Sequence, residues 1–146
     1  MLIREIEHGD MPQLLELYTH LHSNEIPKID SKLKNLWDSI IKDKNHHIIV
    51  VVKDEEIISS CVINIIPNLT HNQRAYALIE NVITHPKHRG NGYATKILDY
   101  AKVIAIESDC YKIMLLTGSE RQATLDFYKR AGYNQNDKTA FIQWLD

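Results

Sequence analysis

Just past mid-chain, the stretch Val82-Ile83-Thr84-His85-Pro86-Lys87-His88-Arg89-Gly90-Asn91-Gly92-Tyr93-Ala94 has the make-up of an anion cradle. Gly90 and Gly92 let successive backbone N–H groups converge without Cβ obstruction. Arg89 supplies a cation just ahead of them, and the apolar spacing that follows predicts a helix whose first N–H groups are unpaired and whose dipole is positive at that end. Ala94 keeps the first turn small enough for a close ligand. A Walker loop would continue Gly-Lys-Ser/Thr after its second glycine, and here Gly92-Tyr93-Ala94 stands instead. A Rossmann turn would carry three glycines near the N-terminus and an acid ~20 residues later, which this segment does not.

A second chemical feature lies just upstream. Glu80 is a lone carboxylate flanked by Ile79 and Val82 in a mostly apolar strand. Such a group either faces a cleft, as a base or a lure for a cationic substrate, or sits in a surface salt bridge with Arg74 or Lys112. The histidines offer no metal site: His46 and His47 are adjacent and point apart on a strand, and His85 and His88 flank Pro86 without a carboxylate or Cys at ligand spacing. No metal is expected. Cys61 and Cys110 form neither a CxxC pair nor a disulfide framework.

These residues need elements to hold them. Leu2 to Glu7 reads as a first strand, then Asp10 as an N-cap with Gln13 as its capping-box partner. Leu14, Leu17, Tyr18 and Leu21 follow at helical spacing. After Pro27, Ser31 opens a second helix with Leu33, Leu36, Trp37, Ile40 and Ile41 on one face. Ile48 to Val52 is a β-branched run, paired through the turn at 53–56 with a strand from Ile57 to Ile66. Residues 67–73 read as loop, Tyr76 to Thr84 as a strand, Tyr93 to Glu107 as a helix, Tyr111 to Thr117 as a strand. Glu120 to Arg130 then forms a helix stopped by Gly132, and Lys138 to Leu145 a last strand. The order β-α-α-β-β-β-α-β-α-β predicts one α/β (α+β) domain over residues 1–146, with a mixed, mostly antiparallel sheet and one parallel crossover.

Within that order, Arg89-x-x-Gly92-x-Ala94 resembles the pyrophosphate-binding pattern Arg/Gln-x-x-Gly-x-Gly/Ala of the GNAT N-acetyltransferases. It follows a strand exit from Val82 to Pro86 that is also typical of them. Downstream, Phe127-Tyr128-Lys129-Arg130-Ala131-Gly132-Tyr133 is similar to the pattern that ends the family's later helix. The resemblance covers Tyr76 to Tyr133 well and residues 1–75 in element order alone. It implies a six- to seven-stranded GNAT sheet with helices on both faces, splayed between the strands ending at Thr84 and Gly118. It also implies acetyl-coenzyme A as cosubstrate, bound by Val82, Ile83, Thr84, Arg89, Gly90, Asn91, Gly92, Tyr93, Ala94 and Thr95.

The implied reaction is direct attack of a neutral amine on a thioester in a ternary complex. Tyr128 becomes the acid for the leaving thiolate, or else an aromatic anchor for its helix. Glu80 becomes the candidate base, with a water chain or a backbone carbonyl near Gly118-Ser119 as the other route. Seven residues before Tyr128 the family often carries Asn; here Arg121 stands, as a phosphate partner or a solvated side chain. Residues 108–133 and Ile79-Glu80-Asn81 further resemble glucosamine 6-phosphate N-acetyltransferases, although Asn81 replaces an acid and Leu116-Thr117-Gly118 an Asp-Cys strand end. A catalytically silent acyl-coenzyme A sensor, or an enzyme acting on a peptide amine, are the alternatives to a small-molecule acetyltransferase.

Composition narrows the partners. With 146 residues, 44% hydrophobic and 25% charged, the chain is an ordinary globular protein. Seventeen Lys and Arg against nineteen Asp and Glu give a net charge of −2, without the basic excess of a nucleic-acid binder. Charges at Arg4 and Glu5 and the lack of a ~20-residue apolar run point to the cytoplasm and away from a membrane. A small-molecule amine is the expected partner, and a homodimer is compatible with the family. Acceptor choice is expected to lie in Leu21 to Asp43 and the Pro67–Arg74 loop.

Overall fold

The computed structural model describes residues 1–22 and 25–146; Ser23 and Asn24, inside the expected acceptor region, lie outside the described residues. The chain forms two compact units, Met1–Leu115 and Leu116–Asp146. The first contains the sheet: β1 (Leu2–Glu5), β2 (His46–Lys53), β3 (Glu56–Ile66), β4 (Tyr76–Thr84) and β5 (Ile113–Leu115), in that spatial order. β1 to β4 pair antiparallel and β4 to β5 parallel, as the sequence order predicts. Its helices are α1 (Met11–Tyr18), α2 (Ser31–Lys42), the single turn α3 (Thr70–Gln73), which is left-handed at His71 to Gln73, and α4 (Tyr93–Glu107). The second unit holds α5 (Gln122–Arg130).

Alternation along β2 and β3 sorts the side chains onto two faces. Ile48, Val50, Val62 and Ile83 join Leu14, Leu17 and Trp37 in a core beneath α1 and α2. On the opposite face, Cys61 Sγ lies 3.9 Å from the Ile97 carbonyl of α4, whose Ile97, Leu98, Ala101 and Ala105 are buried. Burial pushes the Cys61 thiol up to about 12, so it behaves as a small apolar side chain.

Three expectations need correction. The sheet has five strands instead of six or seven, because Lys138 to Leu145 joins no ladder among the described residues. Its alternation suits a strand, but Phe141, Trp144 and Leu145 are solvent-exposed, and a strand pattern without a partner edge stays open chain. The strand expected over 111–117 keeps its ladder only at Ile113–Leu115.

The Asp10–Gln13 capping box also does not form. Asp10 instead accepts both guanidinium nitrogens of Arg4, at 2.6 and 3.0 Å, and the Glu7 N–H at 2.6 Å. Gln13 ties α1 to the β2–β3 turn, accepting from Ile57 N at 2.8 Å and donating to the Glu55 carbonyl. A bidentate charged pair outcompetes a neutral cap. The hydrogen bond from Arg4 holds the Asp10 carboxyl below its usual range. Asp10→Ala is therefore expected to cost about 2 kcal/mol in denaturant unfolding. A depressed folded-state pKa gives stability that is present above the unfolded value and is lost as pH falls through the folded one. The gap between wild type and variant should thus close below about pH 4.

Candidate acyl-donor site at the β4 bulge

The expected site residues of the first unit lie on one continuous stretch. β4 pairs with β3 as Glu80 opposite Val62 and Ile83 opposite Ser60, so one residue is extra between them. Asn81 takes up the excess at φ +52, a left-handed conformation that Asn tolerates better than most residues. The bulge changes which backbone groups face outward. Ala77 donates to the Lys112 carbonyl beside β5 at 3.0 Å, whereas beyond the bulge His85 donates back to Ile58 of β3 at 2.9 Å. By alternation, Val82 and Thr84 then direct their N–H groups away from β3. The β5 ladder runs only from Ala77–Ile113 to Ile79–Leu115, so β4 continues past its end.

Beyond Thr84 the chain makes a short turn at Pro86–His88, started by His85, whose Nδ1 accepts from Lys87 N. Arg89 Nε donates to the Thr84 carbonyl at 3.1 Å, tying the loop to the strand end. Asn91 holds the loop from inside, donating to the carbonyls of His88 and Arg89 at 3.0 and 3.1 Å. Gly90 and Gly92 sit at φ +78 and +75, and a Cβ on either would meet nothing within 4 Å. Gly92 is the N-cap of α4 and brings no side chain to cap it. Among the described residues, the N–H groups of Gly90 to Thr95 find no acceptor. This cradle fits a diphosphate: converging free amides, the positive end of a four-turn helix, and open space where Cβ atoms would stand.

His20, His85, His88 and Tyr93 form a chain of edge-on rings beside the loop. Partial burial, with His20, His88 and Lys87 nearby, holds His85 below its ordinary value, leaving it neutral near pH 7. Among the described residues no cluster of three or more His, Cys, Asp or Glu is placed to hold a metal.

Glu80 is exposed on the α1/α2 face of β4. Neither expected salt bridge forms. Arg74 pairs with Asp109 at 3.0 Å, and Lys112 lies 5.3 Å over the rings of Tyr76 and Tyr111. In the second unit, Tyr128 is half-buried on α5, its ring 4.9 Å from Phe127 and 6.3 Å from Tyr133. Arg121 is the exposed N-cap of the same helix.

A strand leading into a glycine cradle at a helix start is what the sequence resemblance implied, and the family profile agrees: the acetyltransferase (GNAT) family matches residues 11–133. The chain belongs to the GNAT acetyltransferase family. A structure described as a putative acetyltransferase from Agrobacterium tumefaciens superposes with a TM-score of 0.90 at 32% identity, covering 99% of this chain and 100% of that one. Glucosamine 6-phosphate N-acetyltransferase of Trypanosoma brucei brucei is 29% identical over 143 residues, 93% of this chain and 90% of the relative. Glucosamine-6-phosphate N-acetyltransferase of Arabidopsis thaliana shares the fold, with a TM-score of 0.87 at 20% identity over 99% of this chain and 98% of that one. The family uses acetyl-coenzyme A as cosubstrate. No helix of the chain is long and apolar enough, among the described residues, to cross a membrane.

Sequence reasoning passed over three residues here. Asn81 entered it only as the replacement of an acid, and its left-handed backbone arises from the pairing of β3 with β4. Tyr18, whose hydroxyl neighbours both Asn81 and Ser60, and Ser60 itself were likewise not singled out. The available signal was a Ser59-Ser60 pair inside the apolar run from Ile57 to Ile66.

Proposed function

We propose that the protein transfers the acetyl group of acetyl-coenzyme A to a primary amine of a small molecule by direct attack in a ternary complex. The observation that carries this reading is the pairing of the uncapped cradle at Gly90–Thr95 with the outward N–H groups of Val82 and Thr84 at the end of the β5 ladder. Bound acetyl-coenzyme A supplies an electrophilic thioester carbonyl. The Gly90–Thr95 amides hold the diphosphate, and Arg89 adds charge beside it. Val82 and Thr84 offer strand-like pairing to the pantetheine amides, and the Val82 N–H is the candidate donor to the carbonyl oxygen as it gains charge.

A primary amine of pKa ~10 is about one part in a thousand neutral at pH 7. Glu80, exposed and without an ion pair among the described residues, attracts the ammonium form and takes its proton. The C–N bond then forms, the C–S bond breaks, the Tyr128 hydroxyl gives its proton to the departing thiolate, and the second proton shed by the amine nitrogen passes through water to restore the phenol. Arg121 is a candidate partner for a coenzyme phosphate.

An amino sugar is the first acceptor to test, since Ile79-Glu80 and the trypanosomal relative both point to that class. Thiol release from acetyl-coenzyme A should be followed with glucosamine 6-phosphate, kanamycin and spermidine. Amine-dependent release well above the amine-free rate is the expected outcome with at least one. Coenzyme A binding without release with any of the three would support the silent sensor instead.

A further inference from the structure

The α1/α2 face of the sheet carries two hydroxyls that the fold leaves unused. Ser60 is 0% exposed, and its Oγ, like the hydroxyl oxygen of Tyr18, is sealed from solvent without a hydrogen-bond partner. Buried side-chain hydroxyls are nearly always paired, so two orphans side by side call for a cause. The contrast with Ser59 is sharp: its hydroxyl donates to the Ile83 carbonyl at 2.9 Å and meets Thr84 Oγ1 at 2.8 Å. Ser60 instead stands opposite Ile83, on the face where Tyr18 packs onto the core cluster. Ser60 and Asn81 are the polar neighbours of the Tyr18 hydroxyl, near enough to act on its pKa but farther than a formed hydrogen bond. Of the three, Asn81 alone is exposed, and it is the bulge residue. Asn81 thus links the pair to the bulge, where the acetyl-transfer reading places the reacting carbonyl.

We propose that Tyr18 and Ser60 are specificity-determining residues whose hydroxyls receive the reacting amino group of the acceptor, with the Asn81 side chain at the mouth. This rests on the acetyltransferase reading above and adds the residues that seat the nucleophile. The chemistry of the cup suits a neutral amine. It is made of two hydroxyls and a carboxamide, with no carboxylate inside it, so an amine entering from water is favoured in its uncharged form. The two N–H groups of a primary amine match two hydroxyl oxygens as acceptors, which leaves the nitrogen lone pair free. Burial pushes the Tyr18 phenol up to about 12, so it stays protonated throughout the working range. Glu80 stands on the same face, opposite Val62, and is exposed. The ammonium proton is left on that carboxylate or on rim water, and the hydroxyls neither gain nor lose one.

The test uses Tyr18→Phe and Ser60→Ala, each of which removes only a hydroxyl. Ligand-free melting is measured first. An orphaned hydroxyl costs the fold something, so both variants should melt at the wild-type temperature or up to about 3 °C above it. Steady-state kinetics follow, with whichever of glucosamine 6-phosphate, kanamycin and spermidine the wild type acetylates fastest. Each variant should lose about tenfold in kcat/KM for the amine, with KM for acetyl-coenzyme A within twofold of wild type.

Unchanged amine kinetics in a variant that melts normally would overturn the proposal. So would a lowered melting temperature with both KM values shifted together, which marks a structural hydroxyl. Failure of the underlying reading appears elsewhere, in the wild-type arm, as coenzyme A binding without acetylation of any of the three amines.

Discussion

Gly92→Val is expected to weaken coenzyme A binding at least about 100-fold by titration calorimetry, roughly 2.7 kcal/mol. Two effects add. Gly92 sits at φ +75, where an L side chain costs about 1–2 kcal/mol and a β-branched one more. The residue relieves that strain by leaving the left-handed region, and the N-cap of α4 leaves with it. The free amides of Tyr93 to Thr95 then no longer converge with those of the loop, and each lost hydrogen bond to a charged phosphate is worth about 1.5–3 kcal/mol. Space is the second effect. A Cβ at Gly92 meets no protein atom within 4 Å, so the branched side chain projects into the volume the diphosphate would occupy. Gly92→Ala separates the two, because it carries the backbone strain with a single methyl, and about a tenfold loss is expected. Both variants should keep a cooperative melting transition, since nothing in the core touches this position. Wild-type affinity in a folded Gly92→Val protein would remove the cradle as the coenzyme site.

How much of this site was legible in the sequence depends on how local its causes are. The cradle was readable because it is a short-range device: two glycines, an Arg and the start of an amphipathic helix determine it without help from elsewhere. The α4 face was readable for the same reason, from Ile97, Leu98, Ala101 and Ile104 at helical spacing. The bulge was not. Asn81 becomes left-handed only because the β3–β4 register slips between Ser60 and Val62, a property of two strands. Asp10 shows the same limit in small form: its spacing to Gln13 fits a capping box, but Arg4, brought in by β1, takes the carboxylate. Lys138 to Leu145 has the alternation of a strand, yet a strand exists only in a ladder, and pattern alone does not supply the partner. Glu80 was recognised as anomalous from its apolar flanks; that Arg74 and Lys112 are engaged elsewhere required coordinates.

Tyr128→Phe is expected to lower kcat about 10²–10³-fold while leaving KM for acetyl-coenzyme A nearly unchanged. The argument turns on when the hydroxyl is needed. A phenol of pKa ~10 is protonated at neutral pH and can donate to a thiolate of pKa ~8.5 as the C–S bond lengthens, an interaction that strengthens only in the transition state. Removing it therefore leaves substrate binding alone and raises the barrier. Packing makes the opposite prediction. The Tyr128 ring contacts Phe127 and Tyr133 through its faces and edges, and Phe keeps that ring in the same place, so a purely structural tyrosine would be replaced at little cost to rate. A loss of the hydroxyl's own partner could imitate a catalytic defect by depopulating the folded state, at about 1–3 kcal/mol, and melting the variant beside wild type separates the two. An acyl donor with a more acidic thiol supplies the remaining discrimination. Its thiolate needs no proton to leave, so the gap between Tyr128→Phe and wild type should shrink with it if the phenol is the acid, and persist if the ring merely shapes the site. A well-folded Phe variant turning over within about threefold of wild type at saturating substrate would assign the proton to another donor.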